Sequence, residues 1–158
     1  MRIVVGGVSG VGKTTVAQAL AMRIRAPFID ADDLHPAANV RKMSSGIPLD
    51  DDDRMPWLDA VGRALAANAT VVIACSALRR RYRDRLREWV PDVVSVQLHA
   101  ERTLLGARMI ARSGHFMPAS LLDSQLELLE PLALDEPGCI VDASDPVERV
   151  IERILGQL

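Results

Sequence analysis

Little in this chain could serve as a covalent or metallic staple. Its 158 residues include two cysteines, Cys75 and Cys139, and three histidines, with no C-x-x-C pair and no His/Cys cluster at metal spacing. A disulfide framework and a zinc site are therefore not expected. Both cysteines flank apolar runs and read as buried free thiols of a reducing compartment. Aromatic residues make up only 3% of the chain, and the formal net charge is −2, so no global basic field points to nucleic acid. No apolar run approaches the roughly 20 residues a bilayer span needs, and the first residues have no signal-peptide layout. Repeats, low-complexity tracts and long linkers are lacking too. What remains, with 49% apolar residues, is one domain able to bury a real core, expected in the cytoplasm.

Glycine, by contrast, is concentrated where it carries chemistry. Gly7-Val8-Ser9-Gly10-Val11-Gly12-Lys13-Thr14 fits G-x-x-x-x-G-K-[ST], the phosphate-binding P-loop. The apolar run Ile3-Val4-Val5 precedes it, and Val16, Ala17, Leu20, Ala21 and Ile24 recur behind it at helical spacing. Strand, glycine loop and helix thus occur in the order the motif requires. Such a loop turns several N–H groups toward one anion at the positive end of a helix dipole. Lys13 can reach the β- and γ-phosphates, and Thr14 can offer its hydroxyl to Mg²⁺. A glycine-rich turn that binds nothing would explain neither Lys13-Thr14 nor the flanking elements.

A short second strand, Pro27 to Asp30, ends in acid: Asp30, Asp32 and Asp33, then His35-Pro36. If it runs parallel to the first, these acids overhang the P-loop crevice, since ligands sit at the carboxyl ends of such strands. They then supply a magnesium-side carboxylate and a general base; alternatively, Asp32 or Asp33 caps the helix starting near Ala37. Four aspartates, Asp50 to Asp53, precede Arg54, and Met55-Pro56-Trp57-Leu58 is expected to open a helix reaching about Asn68. Arg54 is placed equally well to clamp a substrate carboxylate or to pair locally with Asp51 or Asp53.

Thr70 to Ala74 is β-branched and continuous, the mark of a central strand. It lacks the terminal aspartate that a usual P-loop enzyme uses for magnesium, which shifts that role to Asp30 and Asp32. Six arginines between Arg79 and Arg87 read as a solvated amphipathic helix partnered by Asp84 and Glu88. Arg79, nearest the strand end, is the exception. A fourth strand spans Val93 to Leu98. Next come a helix with Arg108 and Arg112 on one face, the run Ser113-Gly114-His115-Phe116, and a helix from about Ser120 to Leu129. This is the layout of a lid over a nucleotide, about 108–125, or of an ordinary helical hairpin. A fifth strand, Cys139 to Asp142, and a helix from Val147 to Leu155 complete a five-stranded parallel α/β sheet covered on both faces. A GTPase switch is disfavoured: there is no N/T-K-x-D motif, and Asp135-Glu-Pro-Gly138 lies too late for a switch loop.

Several pieces in order carry a family resemblance over nearly the whole length. They are the P-loop, Asp30-Ala-Asp32 with Leu34-His-Pro36, and Asp53-Arg-Met-Pro-Trp-Leu58. Cys75-Ser-Ala-Leu78, Gly114-His-Phe116, Ser124-Gln125 and Glu130-Pro131 follow. The chain resembles the small P-loop gluconate kinases, which are related to shikimate and adenylate kinases. The resemblance implies a P-loop NTPase fold with sheet order 2-3-1-4-5 and ATP-dependent phosphorylation of D-gluconate with Mg²⁺, usually by a homodimer. It implies that Lys13, Asp32 and Arg112 are catalytic, with Asp32 holding or deprotonating the acceptor hydroxyl. Gly7 to Thr15, Arg108 and Arg112 would bind nucleotide, and Thr14 and Asp30 would hold the metal, Asp30 through water. Arg54 becomes the carboxylate ligand, with His35, Arg79, His115 and Gln125 as further substrate contacts. A sibling kinase acting on shikimate or another sugar acid is the nearest alternative.

Overall fold

The computed structural model describes residues 1–113 and 119–158. Its sheet has five parallel strands: β1 (Arg2–Gly6), β2 (Phe28–Asp30), β3 (Val71–Ala74), β4 (Val94–His99) and β5 (Gly138–Asp142). They lie in the order β2-β3-β1-β4-β5, as the resemblance implies. β1 is central because Ile3, Val4 and Val5 are apolar on both faces, which only a strand covered twice can bury. Ile3 and Val5 pack with α1 (Lys13–Ile24) and α7 (Val147–Gln157) through Leu20, Val150 and Ile154. Val4 faces the other way, toward α3 (Asp51–Ala66) and α4 (Arg80–Trp89), where Trp57, Leu58, Leu65 and Leu86 close a second core. The remaining helices are α2 (Ala37–Ser44), α5 (Arg102–Ser113) and α6 (Ala119–Leu128), with a 3-10 turn at Ala31–Leu34. Both cysteines are buried free thiols, and burial pushes Cys75 up to about 12.

The structure departs from the sequence reading at α3. The helix begins at the aspartates, four residues before Met55. Asp50 accepts from the Asp53 N–H at 2.8 Å, and Asp53 accepts from the Asp50 N–H at 3.1 Å. This reciprocal capping box, with acids in the first turn facing the helix dipole, sets the start. Pro56 sits inside the helix, where it forgoes one backbone bond. The arginine helix differs as well. Arg87–Asp84 and Arg85–Glu88 are the expected surface pairs. Arg83, however, is 4% exposed and donates to both oxygens of the buried Glu136 at 2.7 and 2.8 Å. Burial works against the Glu136 charge, yet Arg83, the Ala133 N–H and Arg87 hold its carboxyl down to about 2.

Candidate active site

The loop from Gly7 to Gly12 wraps the N-terminus of α1. Gly10 and Gly12 take φ values of +81° and +97°, which L side chains rarely adopt. A side chain at Gly10 would strike the Leu105 carbonyl of α5 at 2.9 Å, whereas one at Gly12 would meet nothing within 4 Å. Gly12 thus fronts open space, and no side chain caps the first turn of α1, so its N–H groups face that space. The side chains of Val8 and Val11 are buried, pinning the loop to the core. Lys13 arches back to donate to the Val8 carbonyl at 3.1 Å. The cradle in front holds about 380 Å³; Lys13, Thr14, Thr15, Asp30, Asp32 and Arg108 are among its walls.

The acids divide their work differently from the capping alternative. Asp30 Oδ1 accepts from the Asp32 N–H at 3.0 Å, so Asp30 caps the 3-10 turn, and α2 starts behind Pro36 with no side-chain cap. Asp30 Oδ2 accepts from the Thr14 hydroxyl at 3.3 Å. That bond aims the Thr14 lone pairs away from Asp30. A hydroxyl and a carboxylate side by side at a phosphate cradle are hard oxygen donors and fit Mg²⁺. Asp32 is left exposed at the cradle's edge.

A second cavity of about 270 Å³ adjoins the first, and Ser9, Lys13 and Asp32 line both. Its other walls include Arg54, Trp57, Ser76, Tyr82 and Gln125. Arg54 leans over the Tyr82 ring, its Cζ 5.7 Å from the centroid, and donates to the Tyr82 oxygen at 3.4 Å. It also lies 4.0 Å from Asp51, so Arg54 both lines this cavity and stands beside the local acid it was expected to pair with. The Tyr82 hydroxyl donates to Asp51, and that bond first, then Arg81, Arg79 and Arg54, keeps the Asp51 carboxyl below its ordinary value. Trp57 is fixed by donating to the Ala31 carbonyl at 2.6 Å, and His35 stacks on it at 4.4 Å. The Asn39 amide nitrogen gives one hydrogen to the Asp53 carbonyl at 2.9 Å and approaches His35 Nδ1 at 3.3 Å. Nδ1 is then an acceptor, and the neutral ring carries its proton on Nε2. Burial, followed by a raising contribution from Asp32 and a lowering one from Arg54, leaves the His35 pKa below its ordinary value. His35 and Arg79, the latter at the N-cap of α4, border this assembly without lining the cavity itself.

Trp57, Ser76 and Tyr82 are pocket residues that the sequence reading did not assign to the site. Scarcity was the available signal: two of the chain's five aromatic residues face one small cavity. A third cavity, about 240 Å³, has Val11, Val16, Val147 and Val150 among its walls, and its β5–α7 side also went unread. Arg108 bridges it to the P-loop, donating to the carbonyls of Val11 at 3.3 Å and Ala143 at 2.9 Å. Arg102 of α5, before the expected lid, and Asp123 of α6, within it, form a two-point ion pair at 2.7 and 3.0 Å. Gln125 turns toward the P-loop: its Oε1 accepts from the Ser9 N–H at 2.7 Å, and its Nε2 donates to Ser9 Oγ at 2.9 Å. His115 and the side chain of Arg112 lie outside the described residues.

A glycine loop with Lys13 at the N-terminus of α1, and beside it a small polar pocket, at the carboxyl ends of a parallel sheet, define a P-loop kinase. A family model described as an AAA domain matches residues 3–132. The thermosensitive gluconokinase of Escherichia coli (strain K12) is 45% identical over 152 residues, 93% of this chain and 81% of that one. The gluconokinase of Gluconobacter oxydans (strain 621H) is 45% identical over 157 residues, covering 97% and 88%. The crystal structure of a gluconokinase from Sinorhizobium meliloti 1021 superimposes with a TM-score of 0.91 at 49% identity, covering 99% of this chain and 90% of that one. The chain belongs to the gluconokinase family.

Proposed function

We infer that this chain transfers the γ-phosphoryl group of ATP to a hydroxyl of D-gluconate, giving 6-phospho-D-gluconate and ADP. The observation that carries the reading is the meeting of cradle and acceptor pocket at Ser9, Lys13 and Asp32, with Arg54 fixed on the acceptor side. A sugar acid needs a rigid cation for its carboxylate and a carboxylate for its reacting hydroxyl, and Arg54 and Asp32 offer these. The pocket's 270 Å³ is small for a ligand site, since such sites run from roughly 300 to 1,000 Å³, and suits a small polyol better than a nucleotide acceptor.

Asp32 orients the acceptor hydroxyl and takes its proton. Lys13 spans to the β- and γ-phosphates and neutralises charge that builds on the group in transit. Thr14 and, through water, Asp30 would hold Mg²⁺, which would supply further charge neutralisation on the phosphates. Arg108 frames the nucleobase slot, and Arg112 and His115 belong to the proposed lid at 108–125, whose closure excludes water. His35, through its Nε2–H, and Arg79 hold the pocket's polar rim.

The test is a coupled ADP-release assay with MgATP and a panel of gluconate, shikimate, glucose and nucleoside monophosphates. Turnover with gluconate alone is expected, and Lys13→Ala should lower it by orders of magnitude. Turnover only with another acceptor would overturn the substrate and the role given to Arg54.

Among the described residues, no helix is long and apolar enough to cross a membrane. The family resemblance supports a cytoplasmic homodimer. Nucleic acid has no place in the reading, because five arginines of α4, Arg80, Arg81, Arg83, Arg85 and Arg87, are paired with the protein's own carboxylates.

A further inference from the structure

We propose that the Ser9 hydroxyl is itself a catalytic donor to the phosphoryl group in transit, and that Gln125 is the positioning residue that aims it. The inference rests on the kinase reading of the site. It replaces the role of substrate ligand that the resemblance suggests for Gln125.

The argument begins with the hydrogen-bond inventory of one amide. The Ser9 N–H can only donate, so the Gln125 atom 2.7 Å from it must be the carbonyl oxygen Oε1. That choice fixes the amide's orientation and puts Nε2 on Ser9 Oγ at 2.9 Å. An amide nitrogen only donates, so Ser9 Oγ accepts there. A hydroxyl has one proton and two lone pairs. With a lone pair committed to Gln125, the Ser9 proton must be given elsewhere. Ser9 is one of three residues lining both the phosphate cradle and the acceptor pocket, the others being Lys13 and Asp32. Phosphoryl transfer has to cross that junction. Lys13 brings a positive charge to it and Asp32 a base. Ser9, aimed by Gln125, brings a neutral donor to the oxygens on which charge is spread.

Gln125 is held to this task by the rest of its helix. Leu129 donates its N–H to the Gln125 carbonyl at 3.1 Å. The next residue, Glu130, is locked to the acceptor side. Its N–H donates to the Leu78 carbonyl at 2.8 Å, and its carboxylate accepts from the Arg80 N–H at 2.6 Å. The C-terminal end of α6 is therefore fixed to the β3–α4 loop, and the amide of Gln125 reaches across the pocket to the P-loop. Both of its polar atoms are used on Ser9.

The experiment is a double-mutant cycle of Ser9→Ala and Gln125→Ala in the coupled assay, with Ser9→Thr and Gln125→Glu as companions. Each alanine variant should lower kcat about tenfold or more, with the gluconate KM within about twofold of wild type, because a transition-state contact is lost and not a ground-state one. The double variant should be no slower than Ser9→Ala alone. Ser9→Thr keeps a hydroxyl, so it should retain most of the rate and remain sensitive to Gln125→Ala, which a merely structural role would not produce. Gln125→Glu should also be slow, because a carboxylate draws the Ser9 proton to itself. Multiplying effects of the two alanine variants, or a Gln125→Ala change confined to the gluconate KM, would overturn the inference and leave the kinase reading intact. If another acceptor of the panel supports turnover, the cycle is read on that acceptor. A wild-type protein silent with every acceptor would overturn both readings.

Discussion

Arg54 answers two demands at once. Asp51 and Tyr82 hold its guanidinium, and the cavity proposed for the acceptor opens beside it. A planar fork on an aromatic ring is pre-organised for a carboxylate in a way that a lysine ammonium is not. Arg54→Lys should therefore raise the gluconate KM about tenfold and Arg54→Ala about a hundredfold, with kcat falling less. Steady-state kinetics at saturating MgATP would measure both, and an unchanged KM would remove Arg54 from the carboxylate site. Residues of this kind were only partly legible in the sequence. Lys13 and Thr14 announce themselves because the P-loop is local: every group that gives them meaning lies within a few positions. Arg54 could not be decided, because its perch, Tyr82, lies 28 residues away and only the packing of α4 on α3 brings it near. Asp30 and Asp32 were recognised as a pair, but capping was expected of Asp32 or Asp33 at α2; that Asp30 instead caps the 3-10 turn depended on a backbone geometry that composition does not encode.

Elements were easier to read than their ends. The five strands and the helices between them follow from apolar runs and helical spacing. The start of α3 was missed because Pro56 resembles a first-turn proline, while the capping box of Asp50 and Asp53 was hidden in a run of identical aspartates. Two close approaches between elements yield an ordered prediction. At Gly138, where β5 begins beside β4, φ is +147° and a Cβ would fall 1.9 Å from the Ser95 carbonyl oxygen. At Gly62, where α3 crosses α4, a Cβ would fall 2.3 Å from Trp89 Cδ1. Backbone cannot retreat, but an indole on a half-exposed helix end can shift. Gly138→Ala should therefore cost on the order of 3 kcal/mol or more, and Gly62→Ala less. Urea midpoints for the two variants would check the order, and equal losses would contradict it.

Across the whole molecule, the segment after α6 is tied to α4 by the buried pair Arg83–Glu136. Glu136→Gln leaves a buried guanidinium without its counter-charge, and such losses run to about 3–5 kcal/mol. The sign with pH follows from the depressed carboxyl. Its stabilisation is complete above the ordinary value of 4.5 and fades as pH falls toward about 2, where the folded state also binds the proton. The stability gap between wild type and Glu136→Gln, measured by chemical denaturation, should be flat above pH 4.5 and close below it. A gap independent of pH down to 2 would refute the assignment. Nothing in the sequence flagged this pair, since Arg83 stands among five similar neighbours.

The bonds between β1 and β3 do not stop with the sheet. The Cys75 N–H donates to the Val5 carbonyl at 3.0 Å, and the Gly7 N–H then donates to the Ser76 carbonyl at 3.3 Å. The ladder thus runs on into the two loops to which the proposed reaction assigns phosphate donor and acceptor. Their separation is set by the spacing of adjacent strands, about 4.8 Å, and in the proposed reaction the backbone would serve as a ruler between the two substrates. Heat, crowding or a remote substitution cannot slide one loop past the other without first parting the central strands.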